Sequence, residues 1–399
     1  MIDVQPDDEK INLQEWFSYR QIGAITTPVS PIDISFSVEV VLDLFKNNPD
    51  LPAIPIEQNG TLIGILNRSE VEKLTESAWA RFWQKDLGAY IKEQLFFLRA
   101  EDYIEKNIEQ VLKINAEKGV RFFAVFLRKS FFGIVGLRDM LMRITEVQRQ
   151  DMSRARMVQQ NLLEETSTKK DDRYTLITWN RMASEVGGDF YKDFCLPDGD
   201  RHIVGCFDVS GKNVAASLST MAIGSFFTAL DYFGITGEIF GEELTLKLDK
   251  YIEDLTPADM FITAALCYID LKAGTVLIQN CGHTPIYIFI PDENNKIAGK
   301  TMKPNLPPLG MGLLEAQEKS SFCMPIKKGF RIVLYTDGLT DMVNSDGARF
   351  EEDRARELLV ETYGKPEAET RAIYTKNIDS WMTEALQADD ITIMDIRFK

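Results

Sequence analysis

Apolar and polar positions follow different patterns in the two halves of the chain. Up to about residue 145, short apolar runs alternate with stretches that carry apolar residues every three or four positions, which predicts strands flanked by helices. Beyond residue 172 the pattern predicts strands bounded by turn residues, with helices over residues 213–231 and 350–386. The predicted strands are YTLITWN, HIVGCFDV, MFITAALCYIDL, TVLIQNCG, IYIFI, RIVLYTDG and ITIMDIRF.

Strands joined mainly by short turns, with the helices grouped separately, favour antiparallel sheets covered by helices over a doubly wound parallel sheet. The predicted fold class is therefore α+β for the second half of the chain.

A weak internal repeat organises the first half. Residues 53–74 (AIPIEQNGTLIGILNRSEVEKL) resemble residues 123–144 (FAVFLRKSFFGIVGLRDMLMRI), with Gly64 matching Gly133 at an offset of 69. Each copy predicts a helix, a strand, a turn, a strand and a second helix, and Asn59-Gly60 is a good hairpin turn. Two such units are expected to pack on each other and to cover each other's sheets.

This repeat resembles a tandem pair of CBS domains, small modules that commonly bind adenosyl nucleotides between the copies. That family carries a Gly-x-x-Thr-x-x-Asp pattern, in which the hydroxyl and the carboxylate contact the ligand. The matching positions read Gly64, Asn67 and Glu70 in the first copy and Gly133, Gly136 and Asp139 in the second. Since Asp139 alone matches in type, the resemblance implies either an adenine nucleotide near Asp139 or a docking module that binds none.

The segment 139–165 contains no Gly or Pro and predicts one long helix. Its apolar seam, Ile144, Val147, Ala155, Val158 and Leu162, is too narrow for a globular core. A connector that pairs with a second copy in a homodimer and a solvated linker are both open interpretations. The predicted division is a sensor or regulatory domain over 1–138, a connector over 139–171 and a third domain over 172–399.

Composition narrows the classes of function. Lys and Arg number 45 against 61 Asp and Glu, a net charge of −16 that opposes nucleic-acid binding. No apolar run approaches the roughly 20 residues of a membrane span, and the acidic start MIDVQPDDEK lacks the pattern of a secretory signal. Five cysteines without a CxxC pair favour neither a disulfide framework nor structural zinc. We therefore expect a cytoplasmic protein without a membrane segment.

Acidic turns at strand ends are the candidate chemistry. They are EVGGDF, CFDVSGKN, LYTDGLTD and ADDIT, which contain Asp189, Asp208, Asp337 and the pair Asp389-Asp390. Carboxylate oxygens are the ligands that Mg²⁺ and Mn²⁺ prefer. Each motif alone is weak, but together they predict two ions about 3.5 to 4 Å apart that activate water and clamp a phosphoryl group. Hydrolysis would then need no covalent intermediate.

Six motifs resemble those of the SpoIIE-like branch of the PPM (type 2C) metal-dependent serine/threonine protein phosphatases. They occur in family order over residues 172–399: EVGGDFYKDF, FDVSGKNVAASLSTMA, NCGHTPIYIF, LPPLGM, LYTDGLTDMVNSDGARFEEDR and QADDITIMDIR. The resemblance implies a sandwich of two antiparallel sheets with helices outside, and a centre of two Mn²⁺ or Mg²⁺ ions at one edge.

The resemblance implies a set of site residues, each placed at the matching position of a motif. The implied metal and catalytic carboxylates are Asp189, Asp208, Asp337 and Asp389, joined by the Val209 carbonyl and by Asp390 as a further metal ligand. Supporting turn residues would be Gly187, Gly188, Gly211 and Gly338. Lys192 and Asn213 depart from the family pattern, which usually has Asp and Gly there, but neither is a metal carboxylate.

The resemblance also implies a substrate and a partner. Relatives of this branch act on phosphoserine or phosphothreonine, often in an anti-sigma-factor antagonist of the STAS fold within partner-switching pathways. The N-terminal domain would then regulate the hydrolysis.

Three other functions are alternatives to this interpretation. The protein could be a scaffold that keeps the phosphatase fold without catalysis. It could also be a nuclease that uses the same pair of metal ions, although the net charge of −16 disfavours binding to a nucleic acid. Cys195 and Arg201 have the Cys-x5-Arg spacing of thiolate phosphatases, but Asp198 and Asp200 would repel both phosphate and thiolate. His283 in CGHTP is interpreted as holding a loop by hydrogen bonds.

Overall fold

The computed structural model describes residues 14–75, 87–91, 94–163, 168–170, 172–211, 214–232, 239–257, 260–291, 297–314, 321–383 and 385–399. The chain divides into two compact units, Met1–Asp151 and Met152–Lys399. None of the helices in these described ranges combines the length and the apolar character that crossing a bilayer requires. Asn213, one of the two departures from the family pattern, lies outside the described residues.

The first unit contains two small sheets of the same plan. In each, a short first strand runs parallel to the second, and the second and third form an antiparallel hairpin. The strands are β1 (Ile32–Asp33), β2 (Ala53–Gln58), β3 (Thr61–Asn67), β4 (Phe97–Arg99), β5 (Phe122–Leu127) and β6 (Ser130–Gly136); the helices are α1 (Val38–Asn47), α2 (Arg68–Thr75) and α3 (Ile104–Lys118).

The predicted repeat is confirmed in backbone detail. Gly64 pairs with Ile56, and at the offset of 69 Gly133 pairs with Val125. The register shifts directly after Ile56 in one hairpin and directly after Val125 in the other, so both copies carry an irregularity at the same position. The copies share a buried core, since Ala124 and Ile134 pack with residues of the first copy.

The long helix is also confirmed. It forms α4 (Leu137–Leu162), 26 residues without interruption, and its residues are divided between the two units at Asp151. The absence of Gly and Pro from this stretch of the sequence explains its continuity.

The second unit contains two antiparallel sheets. One has five strands in the order β15-β12-β11-β10-β9, and the other has six in the order β14-β13-β16-β17-β8-β7. The strands are β7 (Thr168–Lys170), β8 (Tyr174–Arg181), β9 (Asp189–Cys195), β10 (Arg201–Val209), β11 (Ile262–Asp270), β12 (Thr275–Cys281), β13 (Ile286–Pro291), β14 (Ile297–Met302), β15 (Phe322–Pro325), β16 (Arg331–Tyr335) and β17 (Ile391–Phe398).

Among the described residues of the second unit, five helices accompany these sheets. They are α5 (Val214–Tyr232), α6 (Glu242–Leu255), α7 (Gly338–Asp341), α8 (Glu351–Glu361) and α9 (Glu367–Met382). One core lies between the sheets and extends to α5 and α6, which cover the five-stranded sheet. A second core lies between the six-stranded sheet and α8 and α9. The α+β class and the antiparallel sandwich with outer helices are therefore confirmed.

Some elements were not predicted from the sequence. All seven predicted strands form, but β7, β9, β14 and β15 were missed, as was α6. The strand β9 reads DFYKDFC, in which charged residues interrupt the apolar pattern. It forms because seven of its residues pair with β10.

A buried ion pair holds the six-stranded sheet to its helices. Arg331 is 1% exposed and donates to both carboxylate oxygens of Asp395, over 2.8 and 2.9 Å. It also donates to the Leu359 carbonyl of α8 and to the Tyr374 hydroxyl of α9. Burial alone would raise the pKa of the Asp395 carboxyl, but Arg331 and Arg397 hold it below its usual range.

Replacing Arg331 should therefore destabilise the second unit. We expect Arg331→Met to lower the free energy of unfolding by about 3 to 5 kcal/mol, because the Asp395 carboxylate would remain buried without its main partner. Urea titration followed by circular dichroism measures the loss. Lys250→Met, which removes an exposed ion pair on α6, is the control and should leave the midpoint almost unchanged. Equal midpoints for both variants would contradict a structural role for Arg331.

Candidate metal centre

The first pair of predicted carboxylates lies on neighbouring strands. Asp189 is the first residue of β9, and Asp208 is near the end of β10. They are register partners in the antiparallel ladder, so their side chains lie on the same face of the five-stranded sheet, where β9 begins and β10 ends. Asp189 is buried and Asp208 is half-buried.

Two threonines of the other sheet hold Asp189. The Thr336 hydroxyl, directly after β16, and the Thr392 hydroxyl, on β17, both donate to Asp189 Oδ2, over 2.8 and 2.6 Å. The carboxylate therefore bridges the two sheets at the point where their strands end. Sequence reasoning missed both threonines, although Thr336 directly precedes Asp337 and Thr392 follows Asp390 by two residues.

The second pair of predicted carboxylates lies beside these threonines. Asp337 follows Thr336, and Asp389 precedes β17 by two residues. A side chain at Gly338 would place its Cβ 2.0 Å from the Asp390 carbonyl oxygen and 3.3 Å from the Asp389 Cβ. Only glycine permits this close approach, which brings the Asp337 turn against the Asp389 turn.

Asp390 anchors the loop that leads to Asp189. Its Oδ1 accepts the Ala183 N–H over 2.7 Å, and its Oδ2 accepts the Gly188 N–H over 2.8 Å. A Cβ at Gly187 would lie 2.3 Å from the same Oδ2. The close neighbour that requires glycine at Gly187 is thus the Asp390 carboxylate.

The loops around Asp208 meet this segment. The Val209 N–H donates to the Gly188 carbonyl over 3.2 Å. The Gly-Gly-Asp motif of residues 187–189 is therefore hydrogen-bonded to the Asp-x-Ser-Gly motif of residues 208–211. Gly211 turns with φ +99°, a conformation that glycine adopts readily.

The close carboxylates at this site favour either protonation of Asp189 or the binding of a cation beside it. Burial, and then the charges of Asp208 and Asp390, raise the pKa of Asp189 well above its ordinary value. Burial also raises the pKa of Asp390. Burial, and then the charges of Asp189 and Asp208, raise the pKa of the nearby Cys206 thiol. A cation bound at this edge would offset the repulsion that raises the pKa of Asp189.

The donor set fits a hard divalent cation in its chemistry. The candidate ligands are carboxylate and backbone carbonyl oxygens, as Mg²⁺ and Mn²⁺ prefer. Within the described ranges, however, no group of three carboxylate, His or Cys side chains is arranged closely enough to hold an ion. The structure brings the aspartates together in neighbouring turns, and their assignment as metal ligands stays a prediction.

His283 is connected to the backbone of Asp208 through Thr263. Its Nδ1 shares a hydrogen bond of 2.7 Å with the Thr263 hydroxyl, and Thr263 lies 3.4 Å from the Asp208 carbonyl oxygen. The His283 N–H donates to the Asn280 side chain. Burial lowers the pKa of His283 to about 4, so the imidazole is neutral at pH 7. These contacts agree with its interpretation as a residue that holds a loop.

The alternative thiolate motif does not assemble a phosphate site. Cys195 ends β9 and Arg201 begins β10, on either side of a hairpin turn. The Arg201 guanidinium donates to Asp198 over 2.6 Å, within the turn itself.

Asp139, the predicted nucleotide contact, lies in the first unit. It is in the first turn of α4 and lines a cavity of about 1390 Å³ together with Gly136, Thr27 and Arg121.

Comparison with known proteins identifies the second unit. The family model described as Stage II sporulation protein E (SpoIIE) matches residues 198–399, about half of the chain. The chain belongs to the SpoIIE family. The model of the CBS domain matches residues 20–75, the first copy of the repeat.

Two individual proteins are similar to this chain in sequence. Phosphoserine phosphatase RsbP of Bacillus subtilis (strain 168) is 25% identical over 193 residues, which cover 48% of this chain and 46% of RsbP. Phosphoserine phosphatase RsbU of the same organism is 24% identical over 190 residues, covering 48% of this chain and 53% of RsbU. The chain thus spans about half the length of the relatives that it matches.

A solved structure shares the fold. The SiaA-PP2C domain of Pseudomonas aeruginosa matches with a TM-score of 0.53 and 19% identity, over 64% of this chain and 99% of that domain. Both the SpoIIE-type domain and the CBS-like repeat inferred from the sequence motifs are therefore confirmed.

The contact between Gly187 and Asp390 gives a test of the loop. We expect Gly187→Ala to lower the free energy of unfolding by about 1 to 3 kcal/mol, because its Cβ would displace a buried, doubly hydrogen-bonded carboxylate. Gly299→Ala on β14, whose Cβ would meet its neighbours at 3.7 Å, is the matched control. Thermal unfolding compares the two. If both variants melt alike, the Gly187 approach imposes no constraint.

Proposed function

We propose that the second unit is a metal-dependent protein phosphatase that hydrolyses phosphoserine or phosphothreonine in a signalling protein. The register pairing of Asp189 with Asp208, beside the Asp337 and Asp389 turns, is the observation that carries the proposal. Membership of the SpoIIE family and the names of the relatives RsbP and RsbU support it.

Two Mn²⁺ or Mg²⁺ ions would be held by Asp189, Asp208, the Val209 carbonyl, Asp337 and Asp389, with Asp390 as a further ligand. Bound there, such ions would lower the pKa of a water molecule and neutralise charge on a phosphoryl group. The hydroxyls of Thr336 and Thr392 both donate to Asp189 Oδ2, and they therefore fix the orientation of that carboxylate.

The residues near the site favour direct attack of water over a covalent intermediate. Cys206 is buried, and its raised pKa keeps the thiol protonated and unreactive. His283 is 3% exposed and its Nδ1 is hydrogen-bonded to Thr263, so its ring is closed off from a phosphate ester. Neither side chain is prepared to act as a nucleophile.

The family suggests a specific partner and mode of control. We propose a STAS-type anti-sigma-factor antagonist as the phosphoprotein, within a partner-switching pathway, and regulation of its dephosphorylation by the N-terminal domain. The net charge of −16 favours a protein substrate over a nucleic acid.

We further propose that residues 139–171 act as a connector that pairs with the same segment of a second chain. Met157 and Val158 on α4 are 56% and 48% exposed, which leaves apolar surface for such pairing.

Loss of a carboxylate should abolish the activity. We expect Mn²⁺-dependent hydrolysis of p-nitrophenyl phosphate by the wild-type chain, lost on chelation with EDTA and restored by Mn²⁺. Asp208→Asn should lower kcat by about 100-fold or more, since charge stabilisation in the transition state would be lost. Asp254→Asn, at an exposed position of α6, is the control.

Two results would refute the assignment. Equal hydrolysis by Asp208→Asn and the wild-type chain would exclude the metal mechanism. A folded wild-type chain that hydrolyses neither p-nitrophenyl phosphate nor a phosphoserine protein with Mn²⁺ present would favour the scaffold alternative.

The cavity of the first unit gives a separate test. We propose that it binds an adenine nucleotide near Asp139, and expect calorimetry of the full chain to detect binding of AMP, ADP or ATP. Asp139→Asn should weaken this binding by about 10-fold, because a charged hydrogen-bond partner is removed. Asp43→Asn on α1 is the control, since Asp43 does not line the cavity. Absence of binding to the wild-type chain would favour a docking module.

A further inference from the structure

The last turns of α4 place a glutamine against the metal-site loop. Gln159 is 1% exposed, whereas its neighbour Gln160 is exposed. The Gln159 side chain contacts Gly187, which lies two residues before Asp189. All of these residues belong to the second unit.

The amide of Gln159 pairs with both polar groups of Gly187. Its Nε2 donates to the Gly187 carbonyl over 2.7 Å, and its Oε1 accepts the Gly187 N–H over 3.0 Å. A side-chain amide has one donor group and one acceptor on the same end, so it can match a backbone N–H and C=O simultaneously. Buried backbone groups that lose such partners are costly.

A third contact fixes the orientation of this amide. Gln159 Nε2 also donates to the Thr220 hydroxyl over 2.8 Å, and that hydroxyl donates its own proton to the Ser217 carbonyl. Thr220 lies on α5, the helix that follows the Asp-x-Ser-Gly motif. Its hydroxyl can therefore accept from Gln159 only if Nε2, and not Oε1, faces it.

Packing secures the glutamine in this position. Leu162, three residues later on α4, lies 3.4 Å from the position of a Cβ at Gly224 of α5. Leu163 is buried in the core of the second unit. The end of α4 thus packs against α5 about one helical turn beyond the Thr220 contact.

The Gly187-Gly188 segment is consequently held from two sides. Gln159 binds Gly187 on one side, and Asp390 accepts the Gly188 N–H on the other. The next residue is Asp189, whose carboxylate the two threonines orient. Any movement of Gly187 would be transmitted to Asp189 through a single intervening residue.

We propose that Gln159 is a positioning residue of the metal centre, which sets the place of Asp189 by clamping the backbone of Gly187. This inference rests on the proposed function, because it assumes that Asp189 is a metal ligand. It makes the C-terminal turns of α4 a structural part of the site.

The test compares Gln159→Met with Gln160→Met in the full chain. Methionine keeps the length of the side chain but removes the amide donor and acceptor. Electron paramagnetic resonance of unbound Mn²⁺ gives the dissociation constant directly, and p-nitrophenyl phosphate hydrolysis gives kcat and KM. Circular dichroism confirms that each variant is folded.

Gln159→Met should raise the Mn²⁺ dissociation constant by about 10- to 100-fold, the range seen when groups that orient metal ligands are removed. Its kcat should recover as Mn²⁺ is raised, with KM for the phosphate ester unchanged. Gln160→Met should match the wild-type chain in every measurement. A folded Gln159→Met that binds Mn²⁺ as tightly as the wild-type chain overturns the proposal.

A second variant decides the case in which Gln159→Met does not fold. Thr220→Val removes only the hydroxyl that orients the amide, and should raise the Mn²⁺ dissociation constant by about 2- to 10-fold. An unchanged constant overturns the proposal.

The phosphatase assignment and the role of Gln159 can be refuted independently of each other. If the wild-type chain hydrolyses the ester and Gln159→Met binds Mn²⁺ normally, only the role of Gln159 is overturned. If the wild-type chain binds Mn²⁺ but hydrolyses no phosphate ester or phosphoprotein, the phosphatase assignment is overturned and the binding constants still decide the role of Gln159. A wild-type chain that binds no Mn²⁺ overturns both.

Discussion

Repulsion between the carboxylates of Asp189 and Asp208 is the constraint on which the second unit depends. The register of β9 and β10 sets these groups opposite each other, and burial makes their charge more costly. Two neutral donors partly offset this cost, since the hydroxyls of Thr336 and Thr392 on the other sheet donate hydrogen bonds to Asp189. Hydrogen bonds of this kind lower the cost of the charge without removing it, and they leave the edge suited to a cation.

The same constraint explains the glycines around the site. Gly187 and Gly338 both press against Asp390, one against its carboxylate and the other against its carbonyl. With larger residues at these two positions, the acidic turns could not approach one another as closely. The positions of the glycines therefore determine how closely the carboxylates gather.

Candidate residues could be found from the sequence where a chemically distinctive residue lies next to a regular apolar pattern. Asp189, Asp208, Asp337 and Asp389 stand in recognisable turns after or before apolar runs, and the repeat was visible through Gly64 and Gly133. Thr336, Thr392 and Gln159 could not be predicted, because their importance comes from contacts across the fold. The strand β9 was missed since its charged residues mask the period of two, and pairing with β10 determined its conformation.

The shared irregularity in the hairpins of the first unit bears on the origin of that unit. A bulge changes which side chains face inward beyond it, so its position is part of the backbone plan of a strand. Both hairpins carry it at equivalent residues, Ile56 and Val125, although few side chains around it are the same. Two unrelated segments would have no reason to share this detail, and a duplicated ancestral module accounts for it.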